Sequence, residues 1–397
     1  MLMDLSRVQS ILRERKLDAL IASSPENIFY TSGLDSLPTS HNTIIFMLRR
    51  IGPAFVLITR EGEPRLMISY GTSMYLEKLQ TEAQVGFTPT GMHLELPEGE
   101  TVPEMYETGA MKGLLKTIRE SGLANGVIGL EMDDLPAQDA DALRSELPGA
   151  TFEDAREALI DMKMVKTPAE IERVREANLR TCGAIKDMCR AIDDGVPESA
   201  VLRALKEGFL KRDCLWWHTT LGLGINGADP YHVAGMDDYV GKTGDPVRWD
   251  IGGVYNHYTS DLARTMCVRE TSDEVHKLNE ILKGSTLRMI AAIKPGVPME
   301  DIFPIGVEYV KENGYPHYKR GMMGHSVGIE VEEYPFIEPG EKRPFEPGMV
   351  FAVESPFYWK GLSGFNMEQN ILVTETGCEV LSESLPFELI VCPYQGD

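Results

Sequence analysis

The sequence Gly-Asp-Pro-Val-Arg-Trp-Asp-Ile-Gly occupies residues 244–252 and contains an apolar run that ends at Asp250. Asp261 precedes a second run, Leu-Ala-Arg-Thr-Met-Cys-Val, at residues 262–268. Two such runs separated by turn residues are typical of the strands of a hairpin. If the turn is centred on residues 255–256, the two aspartates lie opposite each other with side chains about 5 Å apart. The stretch therefore predicts a pair of carboxylates at one place on a sheet.

A second pair of carboxylates repeats this arrangement. Glu354 ends the apolar run at residues 349–353, Glu368 precedes the apolar run at residues 370–374, and a loop at residues 360–364 lies between them. Burying like charges together is unfavourable without compensation. Two divalent cations about 3.5–4 Å apart would remove the conflict and create a hydrolytic centre.

One histidine completes the candidate ligand set. Oxygen and nitrogen donors suit divalent Mn, Co, Zn or Fe, and two such metal ions are the predicted cofactors. Each acid taken alone is compatible with an ordinary strand-end or surface residue, whereas the order and setting of all five residues favour a metal site. The predicted metal ligands are Asp250, Asp261, His325, Glu354 and Glu368.

The segments around these ligands resemble the motifs of the pita-bread metallopeptidases. That family includes Xaa-Pro dipeptidase (prolidase), aminopeptidase P and methionine aminopeptidase, with creatinase as a metal-free relative. The resemblance implies an α/β N-terminal domain at residues 1–160, followed by an α+β pita-bread catalytic domain at residues 161–397. The matching segments are residues 244–252, 258–265, 324–331, 346–354 and 368–374.

The resemblance also implies a role for each ligand. Asp261 and Glu368 would bridge the two metals, and Asp250 would chelate one of them. His325 and Glu354 would bind the other metal, and Glu354 would also take the proton from the nucleophilic water. A hydroxide bridging the metals would attack a polarised carbonyl. The expected reaction is hydrolysis of a C–N bond in a small amide or dipeptide.

Three further residues precede the first aspartate and are candidates for contacts with the substrate. His232 lies 18 residues before Asp250, close to where the family keeps a histidine, and is predicted to stabilise the tetrahedral intermediate. Tyr231 is predicted to line the substrate pocket, with packing in the core as the alternative. His218 follows two tryptophans and is compatible with either a pocket wall or core packing.

Two positions depart from the family's pattern. Glu332 stands where a second histidine is usual, and Asn366 stands where the proline-specific enzymes have an arginine two residues before Glu368. Asparagine cannot supply the charge of arginine, so both positions are predicted to belong to an altered substrate-binding shell. The leading hypothesis is a hydrolase resembling Xaa-Pro dipeptidase, and the alternative is a non-peptidase of the same fold, either hydrolase or lyase, acting on a small osmolyte-like compound. A non-catalytic binding protein is disfavoured by the complete ligand set.

The first half of the chain alternates between predicted strands and helices, which indicates an α/β domain. Thr167 and Pro168 mark the start of the next helix, with proline in its first turn. Helices are predicted at residues 8–17 and 111–120, and strands at residues 19–24, 43–48, 54–58 and 126–131.

Composition narrows the class of partners and the compartment. The net charge of −22 argues against nucleic acid and anionic membranes as partners, and no apolar run approaches a membrane span. The six cysteines lack paired spacings and the N-terminus lacks a signal pattern, so we expect a cytoplasmic protein. Analogy with the family predicts a homodimer, in which the loop at residues 35–41, with His41, is a candidate to reach the partner's site. A plain surface loop is the alternative.

Overall fold

The computed structural model describes residues 3–40, 43–49, 53–68, 86–89, 98, 110–232, 234–235 and 238–396. The chain divides into two compact units, Met1–Lys163 and Met164–Asp397. His41 lies outside the described residues. Within these ranges no helix combines the length and the apolar character needed to cross a bilayer.

The first unit is built on a six-stranded mixed sheet. Its strands are β1 (Ala19–Ala22), β2 (Phe55–Thr59), β3 (Arg65–Ile68), β4 (Gly86–Pro89), β5 (Val127–Leu130) and β6 (Thr151–Asp154). They lie in the order β4-β3-β2-β1-β5-β6, with β1 parallel to β5 and antiparallel to β2. The helices are α1 (Leu5–Glu14), α2 (Pro25–Ser32), α3 (Ile44–Leu48), α4 (Ala110–Glu120), α5 (Ala137–Glu146) and α6 (Arg156–Met164).

The α/β prediction for this unit is confirmed except at one element. Strands β1, β2 and β5 and helices α1 and α4 occupy the predicted segments with shifts of a few residues. The predicted strand at residues 43–48 is wrong, because α3 occupies the segment. The Met47 N–H donates to the carbonyl of Thr43, and the Arg49 guanidinium lies over the Phe46 ring. A short apolar run fits either structure, and local contacts close a helical turn here.

The second unit contains two larger sheets, one antiparallel throughout and the other antiparallel except at one edge strand, which pairs in parallel. One comprises β7 (Leu215–Leu223), β8 (Pro246–Tyr255), β9 (Tyr258–Thr259), β10 (Leu262–Val268) and β18 (Ile390–Cys392), in the order β18-β10-β8-β7 with β9 beside β8. The other comprises β11 (Gly324–Ser326), β12 (Glu333–Phe336), β13 (Val350–Glu354), β16 (Glu368–Val373) and β17 (Cys378–Val380), in the order β12-β11-β13-β16-β17. A small hairpin of β14 (Phe357–Trp359) and β15 (Ser363–Phe365) links β13 to β16.

Each of these sheets follows a pair of helices in the chain and has its own core. Helices α7 (Pro168–Ala191) and α8 (Glu198–Leu210) pack on the first sheet, where Trp249 is fully buried. Helices α9 (Asp273–Ala292) and α10 (Met299–Glu312) pack on the second, around Phe351. Trp249 and its neighbour Asp250 face opposite sides of the strand, since successive side chains of a strand alternate.

Helix α7 begins as predicted. Thr167 accepts a hydrogen bond from the Glu170 N–H, the Glu170 side chain accepts one from the Thr167 N–H, and Pro168 lies in the first turn. This reciprocal capping satisfies two of the donors that a helix start leaves unpaired. The preceding residue, Lys166, is buried and donates to Ser326 Oγ (2.8 Å) and Glu333 Oε2 (3.1 Å). The helix start is thereby anchored beside His325.

Candidate metal centre

The two aspartates converge, but not in the predicted register. Asp250 is paired with Ala263 rather than with Asp261. The turn is centred one residue later than expected, because Asn256 and His257 both adopt positive φ angles (45° and 71°), as in the tight turns that match the twist of a hairpin. Asp261 therefore lies two positions from the residue opposite Asp250. A shift of two positions keeps a side chain on the same face of a sheet, so the two carboxylates still meet.

The two glutamates lie directly opposite each other, as their positions in the sequence suggest. Glu354 ends β13 and is the register partner of Glu368, which begins β16. Both side chains are buried. The connection between them is longer than a simple loop, since it contains the β14–β15 hairpin.

Two groups of three potential metal ligands share one carboxylate. Asp261, His325 and Glu368 form one group, and His218, Asp250 and Asp261 form the other; within each group the ligand atoms lie within 4.8 Å of one another. His325 Nε2 lies 3.5 Å from Asp261 Oδ2 and 3.8 Å from Glu368 Oε1. Asp261 is the member common to both groups, as expected of a residue that bridges two cations.

The orientation of His325 suits a metal ligand. Its Nδ1 lies 3.2 Å from the Ser326 carbonyl oxygen, so Nδ1–H donates there and the lone pair of Nε2 is directed at the carboxylates. A hydrogen bond at one ring nitrogen selects the tautomer that the other nitrogen presents. We infer this tautomer from the hydrogen bond.

Two arginines accompany the carboxylates, and neither was anticipated. Arg248 is only 2% exposed, and its Nη2 donates to Asp250 Oδ2 (3.0 Å) and to the Tyr358 hydroxyl (3.2 Å). Its Nη1 donates to Thr220 Oγ1 (2.8 Å). Arg320 is less closely engaged, with Nη2 3.7 Å from Glu354 Oε1. Arg248 could have been found from the sequence, since residues i and i+2 of a strand share a face.

Matches to family models cover most of the chain. Residues 172–375 match the model of metallopeptidase family M24, and residues 5–165 match that of the creatinase/prolidase N-terminal domain. The chain belongs to metallopeptidase family M24. The α/β plus α+β pita-bread fold expected from the sequence is confirmed, and the protein is a metallohydrolase of this family.

Three relatives of this M24 chain illustrate its similarity to known proteins, each at low sequence identity. An uncharacterized peptidase of Staphylococcus aureus (strain USA300) is 26% identical over 383 residues, covering 95% of this chain and 98% of that protein. A Xaa-Pro dipeptidase of Pyrococcus furiosus is 25% identical over 384 residues, covering 96% and 97%. The solved structure of a Xaa-Pro dipeptidase from Bacillus anthracis has a TM-score of 0.79 at 24% identity, covering 98% of each chain. Such structural likeness establishes the fold.

The electrostatics of the M24 centre fit bound cations. Burial raises the pKa of Glu368 well above its ordinary value, and the neighbouring charges of Asp261 and Asp250 add to the effect. Burial also raises the pKa of Asp261 and of Glu354, although nearby cationic groups oppose it. Among the described residues, Glu368 Oε2 is buried without a hydrogen-bond partner. Four converging carboxylates with an orphaned oxygen are a donor set suited to divalent metals.

Asp250 is the exception among the four acids. Burial alone would raise its pKa, but a hydrogen bond from His218 and the charge of Arg248 outweigh burial and lower the pKa below its ordinary value. The pKa of His218 shows the reverse balance. Burial lowers it, while the charges and hydrogen bonds of Asp261 and Asp250 raise it to about 10.

The remaining predicted site residues are distributed unevenly around a cavity of about 540 Å³ that opens over the carboxylates. Tyr231 and Glu332 line it and are exposed, Tyr231 by 84%. Asn366 is fully buried behind the cavity, where its Nδ2 donates to Glu354 Oε2 at 3.4 Å. The cavity wall also includes Trp217, Thr220, Arg320, Met322 and Tyr358.

His232 is not one of the described residues that line this cavity. Its Nε2 lies 2.8 Å from Oε2 of Glu198, which is fully buried. The other Glu198 oxygen accepts hydrogen bonds from the Leu223 N–H (2.7 Å) and Asn226 Nδ2 (3.2 Å). The structure thus places His232 beside the Tyr231 wall, oriented by a carboxylate that the sequence did not single out.

Proposed function

We propose that this M24 protein is a dinuclear-metal-dependent hydrolase that cleaves the C–N bond of a small amide or dipeptide, as a Xaa-Pro dipeptidase does. The observation that carries the proposal is the pair of ligand groups that share Asp261. Glu354 and Glu368, opposed across β13 and β16, supply the further carboxylates that two cations require.

The five proposed ligands would bind the two cations in different ways. Asp261 and Glu368 would bridge them, Asp250 would hold one, and His325 with Glu354 would hold the other. The bound ions would supply Lewis-acid polarisation of the carbonyl and a water of lowered pKa. Mn, Co, Zn and Fe all accept this mixture of carboxylate and imidazole donors.

Glu354 is the proposed acceptor for the proton of the hydrolytic water. Its pKa is raised by burial and by the other carboxylates, despite the nearby charge of Arg320, and a base works best when its pKa approaches the working pH. Asn366 Nδ2 donates to Glu354 Oε2, which restricts the rotation of the carboxylate. Asn366 would thus act through Glu354, and not through direct contact with the substrate.

His232 is the proposed donor to the developing oxyanion. Glu198 engages Nε2 of the ring, so Nδ1 is the nitrogen left for a substrate group. The exposed Tyr231 beside it would form part of the substrate wall, together with Glu332. Contact with the substrate requires the His232 ring or its loop to adjust when the cavity fills.

A second candidate function, a non-peptidase hydrolase or lyase, is favoured by the charges that face the cavity. Asn366 places no positive charge behind the glutamates, whereas Arg320 and Glu332 place one cation and one acid on the wall. A small zwitterion would satisfy both, with its carboxylate at Arg320 and its cationic group at Glu332 and the neighbouring aromatic rings. An osmolyte-like compound has this chemistry. A dipeptide is also a zwitterion, so the feature that favours the second candidate specifically is the uncharged Asn366 behind the glutamates.

Assembly and compartment complete the proposal. We propose a homodimer, since proteins of this two-domain organisation usually pair. We also propose that it works in the cytoplasm, where its six unpaired cysteines would stay reduced.

The deciding experiment combines elemental analysis with assays of Gly-Pro and Ala-Pro hydrolysis in added Mn²⁺ or Co²⁺. About two metals per chain with dipeptide cleavage would support the peptidase. Two metals without cleavage, followed by turnover of small methylated or cyclic amides, would support the second candidate. A chain that binds no divalent metal under any loading condition would overturn both.

A further inference from the structure

His218 lies inside the carboxylate cluster, although no argument from the sequence gave it a ligand role. Its Nε2 is 3.0 Å from Asp261 Oδ1 and 3.5 Å from Asp250 Oδ1. It reaches them from β7, where Thr220 is the register partner of Asp250 and His218 that of Gly252. The histidine therefore projects from the strand next to the aspartates and towards the same face of the sheet.

The packing around the ring confines it to this place. A Cβ atom at Gly252 would lie 2.1 Å from Cε1 and 2.3 Å from Nδ1 of His218, so the imidazole lies directly against the backbone of Gly252. Nδ1 is buried and has no hydrogen-bond partner among the described residues. The contacts of Nε2 with the two aspartates are thus the polar interactions that account for the orientation of the ring.

The distances fit three donors around one cation. Metal–nitrogen and metal–oxygen bonds of about 2.0–2.2 Å place neighbouring donors about 3.0–3.5 Å apart in octahedral or tetrahedral geometry. The separations of His218 Nε2 from the two aspartate oxygens span this interval. Those of His325 Nε2 from its two carboxylates, 3.5 and 3.8 Å, are similar or longer.

We propose that His218 is a sixth ligand of the centre, supplying Nε2 to the cation held by Asp250 and Asp261. This inference rests on the proposed dinuclear function. Each of the two metals would then have one imidazole, His218 on the aspartate side and His325 on the glutamate side. A nitrogen donor at both positions favours Zn, Co or Fe over the oxygen-seeking Mg and Ca. Neither of these last two ions should displace Co²⁺ from the aspartate side.

The test is a stepwise Co²⁺ titration of the metal-stripped protein, followed by visible absorption and by elemental analysis after gel filtration. Wild type is compared with His218→Ala, His218→Gln and the control His276→Ala, which removes an exposed histidine from α9. We expect about two Co²⁺ in wild type and control. In both His218 variants one site should weaken by at least the 10–100-fold typical of supporting residues, with changed visible bands.

The glutamine variant separates ligation from hydrogen bonding. Glutamine can still donate to Asp261, but its amide is a poor metal ligand, and its near-isosteric side chain protects the fold if alanine does not. Wild-type affinity and spectrum in His218→Gln would overturn the proposal and leave His218 as a hydrogen-bond donor to Asp261. If wild type itself takes up no Co²⁺, the proposed dinuclear function fails, and His218 has no cation to bind. The two failures are therefore distinguishable.

Discussion

The aspartate and glutamate halves of the centre are compensated in different ways. Arg248 and His218 approach Asp250 at 3.0 and 3.5 Å, and the pKa of Asp250 is lowered. On the other side, Arg320 approaches Glu354 only to 3.7 Å, and the pKa values of Glu354 and Glu368 are raised. The protein's own cations therefore hold Asp250 in its charged form, whereas burial still raises the pKa of Asp261. The glutamate half depends on what binds there.

Asp261 belongs to both halves, so its loss should have the largest effect. We expect Asp261→Asn to lose both metals, because both ligand groups contain this residue. Activity should fall about a thousandfold or more, since bound metal lowers the activation barrier by several kcal/mol. Metal content and turnover are measured together, with Asp250→Asn for comparison. Loss of a single metal in Asp261→Asn would contradict its shared position.

The next largest effect concerns the unequal arginines. Arg248→Met should lower the free energy of unfolding of the metal-free protein by about 3 kcal/mol, because Asp250 loses the partner of a largely buried ion pair. Arg320→Met should cost about 1 kcal/mol or less. Urea denaturation followed by tryptophan fluorescence measures this, since all four tryptophans lie in Met164–Asp397. Equal losses from the two arginines would remove the difference between the halves.

The sequence was sufficient to predict that these carboxylates and His325 converge, and much of their arrangement. Glu354 closes one apolar run and Glu368 opens the next, and a hairpin topology sets such ends side by side. The predicted register of the two aspartates was wrong by two positions. Their carboxylates meet nevertheless, because a shift of two positions keeps a side chain on the same face of the sheet. The turn position itself depended on left-handed backbone at Asn256 and His257, and neither residue identity determines that conformation alone.

The contributions of more distant strands were harder to predict. His218 stands 32 residues before Asp250, and its alternation is interrupted by a register shift between Trp216 and His218. Period-two reasoning along β7 therefore could not assign its face. The strand prediction for the segment that forms α3 was wrong for another reason, since its short apolar run does not distinguish a strand from a helix.

The two halves should also differ in how pH changes the stability of the metal-free protein. Glu368→Gln should stabilise the metal-free protein at pH 8 but not near pH 4.5, the ordinary pKa of glutamate. Native Glu368 holds its proton to higher pH than the unfolded chain does. Wild type therefore loses stability as pH rises from about 4.5 to the raised pKa, at about 1.4 kcal/mol for each pKa unit. Glutamine lacks this titration.

Melting temperatures of the stripped proteins between pH 4.5 and 8 measure the difference. We expect the Glu368→Gln curve to rise above wild type by about 2–4 °C per kcal/mol, and saturating metal to reverse the order. Glu332→Gln, at the exposed wall of the same cavity, is the matched control and should follow wild type at every pH. A constant offset between Glu368→Gln and wild type would mean that Glu368 is compensated without metal.

Glu332 should give the smallest effect, and it concerns the substrate alone. Because its side chain is exposed on the cavity wall, Glu332→Gln should change the free energy of unfolding by no more than about 0.5 kcal/mol. The KM for a substrate with a cationic group should rise about 3–10-fold, as expected for loss of a solvent-exposed charge contact of about 1 kcal/mol. The kcat should stay unchanged, since uniform binding is lost.

A substrate analogue that lacks the cationic group provides the control, because its KM should be the same for both proteins. If the KM for both substrates rises equally in Glu332→Gln, Glu332 contributes to the shape of the wall and does not recognise the charge of the substrate. If kcat falls instead, Glu332 acts on the glutamate half of the centre, and the distinction between a metal-dependent interior and a charge-selective rim would no longer hold.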